Sequence, residues 1–141
     1  MYNILKSISE VQVSGSNQFA FTYARKDFAN LYNEVVSETP HIFLDPVIID
    51  TTFSEFNTVE SYTYSGTFML VVSSDIDVED YDTRYQTYIK PLLDESLVTI
   101  KNALVCSYPV TYNTWRTQEI INIFDYNLDG IIVTYNITVN V

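Results

Sequence analysis

A regular alternation of apolar and polar positions runs through the last quarter of the chain. From Ile131 onward, apolar side chains occupy Ile131, Val133, Tyr135, Ile137, Val139 and Val141; Thr134, Asn136, Thr138 and Asn140 alternate with them, and only Ile132 breaks the rule. Successive side chains on a strand point to opposite faces, so this pattern predicts a strand with one face buried and one solvated. Thr117 to Phe124, rich in β-branched and aromatic residues, reads as its partner, and Asp125, Asn127, Asp129 and Gly130 between them are turn formers. The expectation is a β-hairpin with Gly130 in a left-handed or bulge position. A second alternation is longer. Tyr62, Tyr64, Phe68, Leu70 and Val72 share one parity, with Gly66 in the gap, and Ser61, Thr63, Ser65, Thr67 and Ser73 share the other. It predicts a long strand of an antiparallel sheet.

Other segments follow the helical period. Ile4, Leu5, Ile8 and Val11 predict a short amphipathic helix over residues 2–12, broken by Ser14-Gly15-Ser16-Asn17. Phe19, Phe21 and Tyr23 alternate with Ala20 and Thr22, a short extended piece. Phe28, Leu31, Tyr32 and Val35 then trace one stripe of a helix from about Arg25 to Ser37, ended by Pro40. His41 to Asp50 reads as a strand interrupted by Pro46, which makes it an edge or bulges it. Residues 51–59, polar apart from Phe53, Phe56 and Val59, extend that strand or form a long hairpin arm.

The longest helix is predicted over about residues 82–105, with Tyr85, Ile89, Leu92, Leu93, Ser96, Ile100 and Leu104 on one face. Pro91 falls nearly opposite Leu93 on the helical wheel, so its missing hydrogen bond lies on the outer side and the helix bends convex to solvent. The alternative is a stop at Lys90 and a new helix from Pro91. Ser107 to Thr114, containing Pro109, reads as a loop or irregular edge before Trp115. The order of elements gives an α+β fold: a mostly antiparallel β-sheet with a long helix and one or two shorter helices packed on one face. With 141 residues, no repeat and no linker-like stretch, the chain is expected to form a single domain. Residues 2–18 would be a peripheral helix and loop, and residues 19–141 the core.

Charge changes this picture by exclusion. Eighteen acidic against seven basic side chains give a formal charge of −11, and only Arg25 and Lys26 are adjacent. Neutralising phosphates needs clustered Lys and Arg, so ordinary nucleic-acid binding is not expected. The acids concentrate in one run, at Asp75, Asp77, Glu79, Asp80 and Asp82. One reading is a solvated loop leading into the long helix, with Asp80 or Asp82 as N-cap and the helix dipole favouring the carboxylates. The other is an acidic docking edge or cation site, and the two are compatible.

Candidate chemistry is sparse. Asp125, Asn127, Asp129 and Gly130 match the first half of a calcium loop, but Asn136 stands where the bidentate Glu should be, and a strand follows where a helix is required. A structural turn is the expectation. A single cysteine, Cys106, excludes an internal disulfide framework, and its pairing with the single histidine, His41, has no local support. No nucleophile motif, phosphate-cradling glycine loop or His/Cys metal spacing is present, so no enzymatic activity, cofactor or metal is expected. The N-terminus lacks a signal-peptide layout and no apolar run approaches membrane-spanning length, so the chain reads as made inside the cell, without a membrane partner. The acceptor pattern at Asn136 and Thr138 carries no meaning inside a strand of such a chain.

The phrases Phe19–Leu31, Pro40–Pro46 and Phe124–Val139, with the long alternating strand, acidic loop and long helix between them, resemble small virion proteins of tailed bacteriophages. In element order the chain is similar to tail-terminator, tail-completion and neck ring proteins, including those of crAss-like phages. The resemblance implies a non-enzymatic cyclic homo-oligomer in the virion, at the head–tail junction or the end of the tail tube. Its neighbours would be neck, portal or tail-tube proteins, with DNA passing through unread. Asp75, Asp77, Glu79, Asp80 and Asp82 would face the bore or a subunit boundary, where negative charge repels phosphate and lets DNA slide. The competing expectation is a small-molecule-binding or protein-interaction module of the same fold.

Overall fold

A computed structural model describes residues 1–23, 39–75, 77–121 and 128–141. Its frame is a six-stranded sheet built around two long antiparallel strands. β6 (Val59–Ser73) and β8 (Leu128–Asn140) pair without interruption from Ser61↔Asn140 to Ser73↔Leu128. At ~3.4 Å per residue this ladder runs for about 40 Å. β7 (Val110–Ile120) pairs with the other side of β8. The free side of β6 is shared by two strands in succession. β4 (His41–Leu44) takes its second half, and β5 (Ile48–Phe53) takes its first. β3 (Ala20–Tyr23) completes the sheet, parallel to β4, giving the order β3-β4-β6-β8-β7 with β5 beside β6. The fold is α+β and mostly antiparallel, as the alternation predicts.

Among the described residues two helices pack on one face. α1 (Tyr2–Ser9) is shorter than the expected 2–12. Its end is marked by the Ser9 hydroxyl donating to the Leu5 carbonyl at 2.6 Å. A small hairpin of β1 (Gln12–Val13) and β2 (Ser16–Asn17) follows, turning through Ser14 and Gly15 at φ 54° and 82°. Positive φ at both central positions is what a two-residue hairpin loop demands. Leu5 is fully buried, so α1 joins the core where the sequence leaves it peripheral. α2 runs over residues 81–107 and is continuous through Lys90 and Pro91, which discards the alternative of two helices. Pro91 is exposed, as the helical wheel places it. On either side of it the helix widens into π turns, Tyr85–Ile89 and Leu92–Ser96.

The core follows the strand parities. Ile42, Leu44, Phe68, Leu70, Val72, Ile131, Val133, Tyr135 and Ile137 face the helices and meet Leu5, Ile89, Leu92, Leu97, Ile100 and Leu104. On the opposite face Phe43, Met69, Val71 and Leu128 form a second, smaller buried cluster. Gly66 stands across from Tyr135, and a Cβ there would lie 3.1 Å from the tyrosine hydroxyl. The missing side chain thus makes room for the ring.

Several expectations need correction. Gly130 is not in a turn. It lies inside β8 opposite Val71, and a Cβ on it would fall 2.1 Å from the Leu70 carbonyl oxygen. Glycine is needed there for close approach of two backbones, not for a left-handed conformation. β7 begins at Val110, so of the two readings of residues 107–114, loop or irregular edge, the second holds from Val110 onward. Its register shifts between Tyr112 and Thr114. The Asn113 amide at the shift donates to Asn136 Oδ1 at 2.8 Å and Thr138 Oγ1 at 2.7 Å, across to β8. This bulge hides the strand from a period-two reading, because it sets Tyr112 and Trp115 on the same face three residues apart. Pro46 divides the expected 41–50 strand in two, and only the second piece, β5, is an edge. The expected helix over 25–37, and Asp125 and Asn127, lie outside the described residues.

Candidate functional site

The two ends of the long β6–β8 ladder carry opposite chemistry. At the end where β6 finishes and α2 starts lies the acidic run. Asp75, Asp77, Glu79, Asp80 and Asp82 are all exposed within one loop and the first helical turn. Asp80 is the N-cap: its carboxylate accepts from the Asp82 amide at 3.3 Å and from the Thr83 hydroxyl at 2.7 Å. Those bonds, the hydroxyl first, hold its pKa below the usual carboxylate range. Asp75 accepts from the Asp77 amide at 2.9 Å, and the Asp75 amide donates to the Tyr88 hydroxyl at 3.0 Å. The capping reading of the run is therefore seen directly. Among the described residues no group of three or more His, Cys, Asp or Glu side chains is placed to hold a metal ion.

Beneath the loop is an ion pair that the periodicity does not reveal. Arg84 and Asp129 are both buried. The guanidinium grips the carboxylate through Nε–Oδ2 and Nη2–Oδ1, each 2.9 Å, and Nη2 also donates to Ser74 Oγ at 2.7 Å. This fork ties the start of α2 to β8 and to the end of β6. It also commits the one carboxylate of the calcium-like hexapeptide that lies among the described residues. Paired, forked guanidinium–carboxylate geometry is the form in which buried charge is tolerated.

At the other end the helix-facing side of the sheet is left open by the described residues. Tyr62 and Tyr64 on β6, Ile137 and Val139 on β8, Val110 on β7 and Ile49 on β5 form the floor of an apolar groove of about 860 Å³. Their register confirms one surface: Tyr62 pairs with Val139, Tyr64 with Ile137, and Val110 with Val139. α1 starts at its rim, with Met1 before it and Ile4 in its first turn, and α2 ends there, through Leu104 with Tyr108 following. Lys6 stands over the ring of Tyr2 on one flank at 5.7 Å. On the other, Lys101 lies 5.9 Å above Tyr112, the next residue after Val110 on that face of β7. No sequence motif points to this groove. The available signal was that the inward parity of β6 and β8 continues to Tyr62 and Val139, with large part-buried rings where a filled core would end.

Past the groove, β5 and the start of β6 continue as an arm. All six residues of β5 are exposed, with Ile48 at 62%, Ile49 at 56% and Phe53 at 58%, and among the described residues β5 is paired on one side only. Phe56, in the turn, is 87% exposed. The remaining candidates, His41 and Cys106, lie apart. His41 stacks on Phe43 with centroids 3.9 Å apart and shares a 2.8 Å hydrogen bond with Thr22. It lies on the face of the sheet away from α2, whose last turn carries Cys106, so the two are not brought together. No protein-family model matches the chain, and no curated protein matches its sequence.

Proposed function

We propose that the chain is a non-enzymatic structural subunit that assembles with copies of itself into a ring. The resemblance in element order suggests a tail-terminator, tail-completion or neck ring protein of a tailed phage virion, through which DNA passes. The observation that carries the self-assembly is β5: a fully exposed strand with one unpaired edge, bearing Ile48, Ile49 and Phe53 in solvent. Exposed apolar edges are templates for pairing with another chain, and folds that stay monomeric blunt them with lysine, proline or a cover. β5 carries no lysine and no proline, only the one charge of Asp50 and a register shift between Thr52 and Phe53. In this reading the acidic loop, at the opposite end of the ladder, faces the bore or a subunit boundary, where repulsion keeps DNA from sticking. The groove favours a second reading, a ligand-binding module, since its volume falls in the range of small-molecule sites.

Mass measurement by light scattering and electron microscopy, on the protein alone and with its head–tail neighbours, decides between them. A closed ring is the expected outcome. A particle that stays monomeric with every neighbour, or that carries a small molecule stoichiometrically from expression, overturns the ring.

A further inference from the structure

We infer that the apolar groove is the receptor for the β5–β6 hairpin tip of a second copy of this chain. The inference rests on the self-assembly reading for the identity of the occupant, and adds the two surfaces that meet. The tip is built to present a side chain. Ser54 accepts from the Asn57 amide at 3.0 Å and, through its hydroxyl, from the Phe56 and Thr58 amides at 3.2 Å each. The Ser54 amide in turn donates to the Thr58 carbonyl at 2.8 Å, and Asn57 adopts a left-handed φ of 58°. Such bonding fixes the turn, yet what it displays is Phe56, 87% exposed, with Phe53 behind it at 58%. A preordered knob loses little entropy on docking. Phenylalanine is also a side chain that interface centres favour.

Charge selects the same pairing. The arm carries Asp50, Glu55 and Glu60 and no Lys or Arg between residues 48 and 60. Lys6 stands over Tyr2, which lines the groove, and Lys101 stands over Tyr112 and Trp115, on the same face of β7 as Val110 of the groove floor. An acidic arm with an apolar tip therefore complements an apolar groove bordered by lysine. A chain cannot satisfy this contact alone. Val139 on the groove floor pairs with Tyr62, whereas Phe56 lies beyond Val59, so at least about 10 Å of strand separates them. Because knob and groove are different patches, the contact is heterologous. Repeated by rotation it closes a ring, and exchanged reciprocally it stops at two copies.

Disulfide trapping in a Cys106→Ser background tests the contact. Phe56→Cys protein is mixed with Val139→Cys protein under mild oxidation, and Phe56→Cys with Val98→Cys, on the exposed side of α2, serves as control. The expected result is a cross-linked pair several-fold above the control. Equal yields overturn the docking. A Phe56→Asp variant, which leaves the core untouched, should keep the wild-type melting temperature and lose self-association. Rings that persist in Phe56→Asp overturn the docking and leave the ring reading intact. A trapped pair that never grows beyond a dimer supports the docking and overturns the ring. A groove found filled by a small molecule, or by another protein that binds Phe56→Asp equally well, overturns the inference.

Discussion

At position 130 the fold has no room for even one carbon. The ideal Cβ would lie 2.1 Å from the Leu70 carbonyl oxygen and 2.8 Å from Val71 Cα, and both neighbours are backbone of the paired strand. Neither can swing aside as a side chain would, so β6 and β8 must part locally. Gly130→Ala should cost at least the upper end of the ~1–3 kcal/mol typical of overpacking, read from the urea midpoint. Arg84 and Asp129 make a second sharp test. Removing one partner strands a buried charge, so Arg84→Met or Asp129→Leu alone should cost about 3–5 kcal/mol, and the double variant should recover much of it. A denaturation double-mutant cycle measures that coupling. The same pair bears on calcium: because Arg84 occupies the Asp129 carboxylate, chelator and millimolar calcium should leave the melting temperature unchanged. Asp129 and Gly130 show where a residue reading stops. Both types favour turns, and the sequence places them in one. The ion pair and the backbone approach that put them in a strand each depend on a partner about 45 to 60 residues away.

Among the elements, α2 was the most legible and still held a surprise. Its extent and the outward position of Pro91 follow from the apolar stripe and the helical wheel. Leu97 does not, because the buried positions step by five from Arg84 to Ile89 and again from Leu92 to Leu97. Each step spans a π turn, which adds a residue to the turn and rotates the stripe. Leu92→Ala and Ile100→Ala, both in the core, should each cost about 2–5 kcal/mol in a thermal or chemical melt. Gln86→Ala, on the exposed side, should stay within about 0.5 kcal/mol. The Asp80 cap gives the element a pH response. Its folded pKa is depressed, so its stabilisation is present above the unfolded value and fades as pH falls through the folded one. Exchange protection at Asp82 and Thr83, relative to the intrinsic rate at each pH, should therefore fall selectively in acid, and Asp80→Ala should remove that dependence. The strands were legible wherever period two survived. β7 was shortened in the reading by its bulge at Asn113, and Pro46 marked a boundary between strands whose partners only the sheet order reveals.

For the molecule as a whole, the sheet with helices on one face could be read from periodicity, and the acidic end from composition. The groove could not, since a floor shared by β5, β6, β7 and β8 exists only in the register that joins them. That register also governs time. β6 must find β8 across a gap that holds α2 and β7, and such non-local pairing sets domains of this kind in the slower range of ms to s. Stopped-flow refolding should show that slow phase, with the β5–β6 hairpin protected before the β6–β8 ladder in pulsed exchange. On the ribosome the delay is longer, because at about 5–20 residues per second β6 waits several seconds for its partner to be made. During that wait the arm and its Phe56 tip are already synthesised, while a third of the groove floor, Ile137 and Val139, is not. In the assembly we propose, a nascent chain would therefore offer the knob before it could receive one, and growth would be licensed only by chains whose β8 is in place.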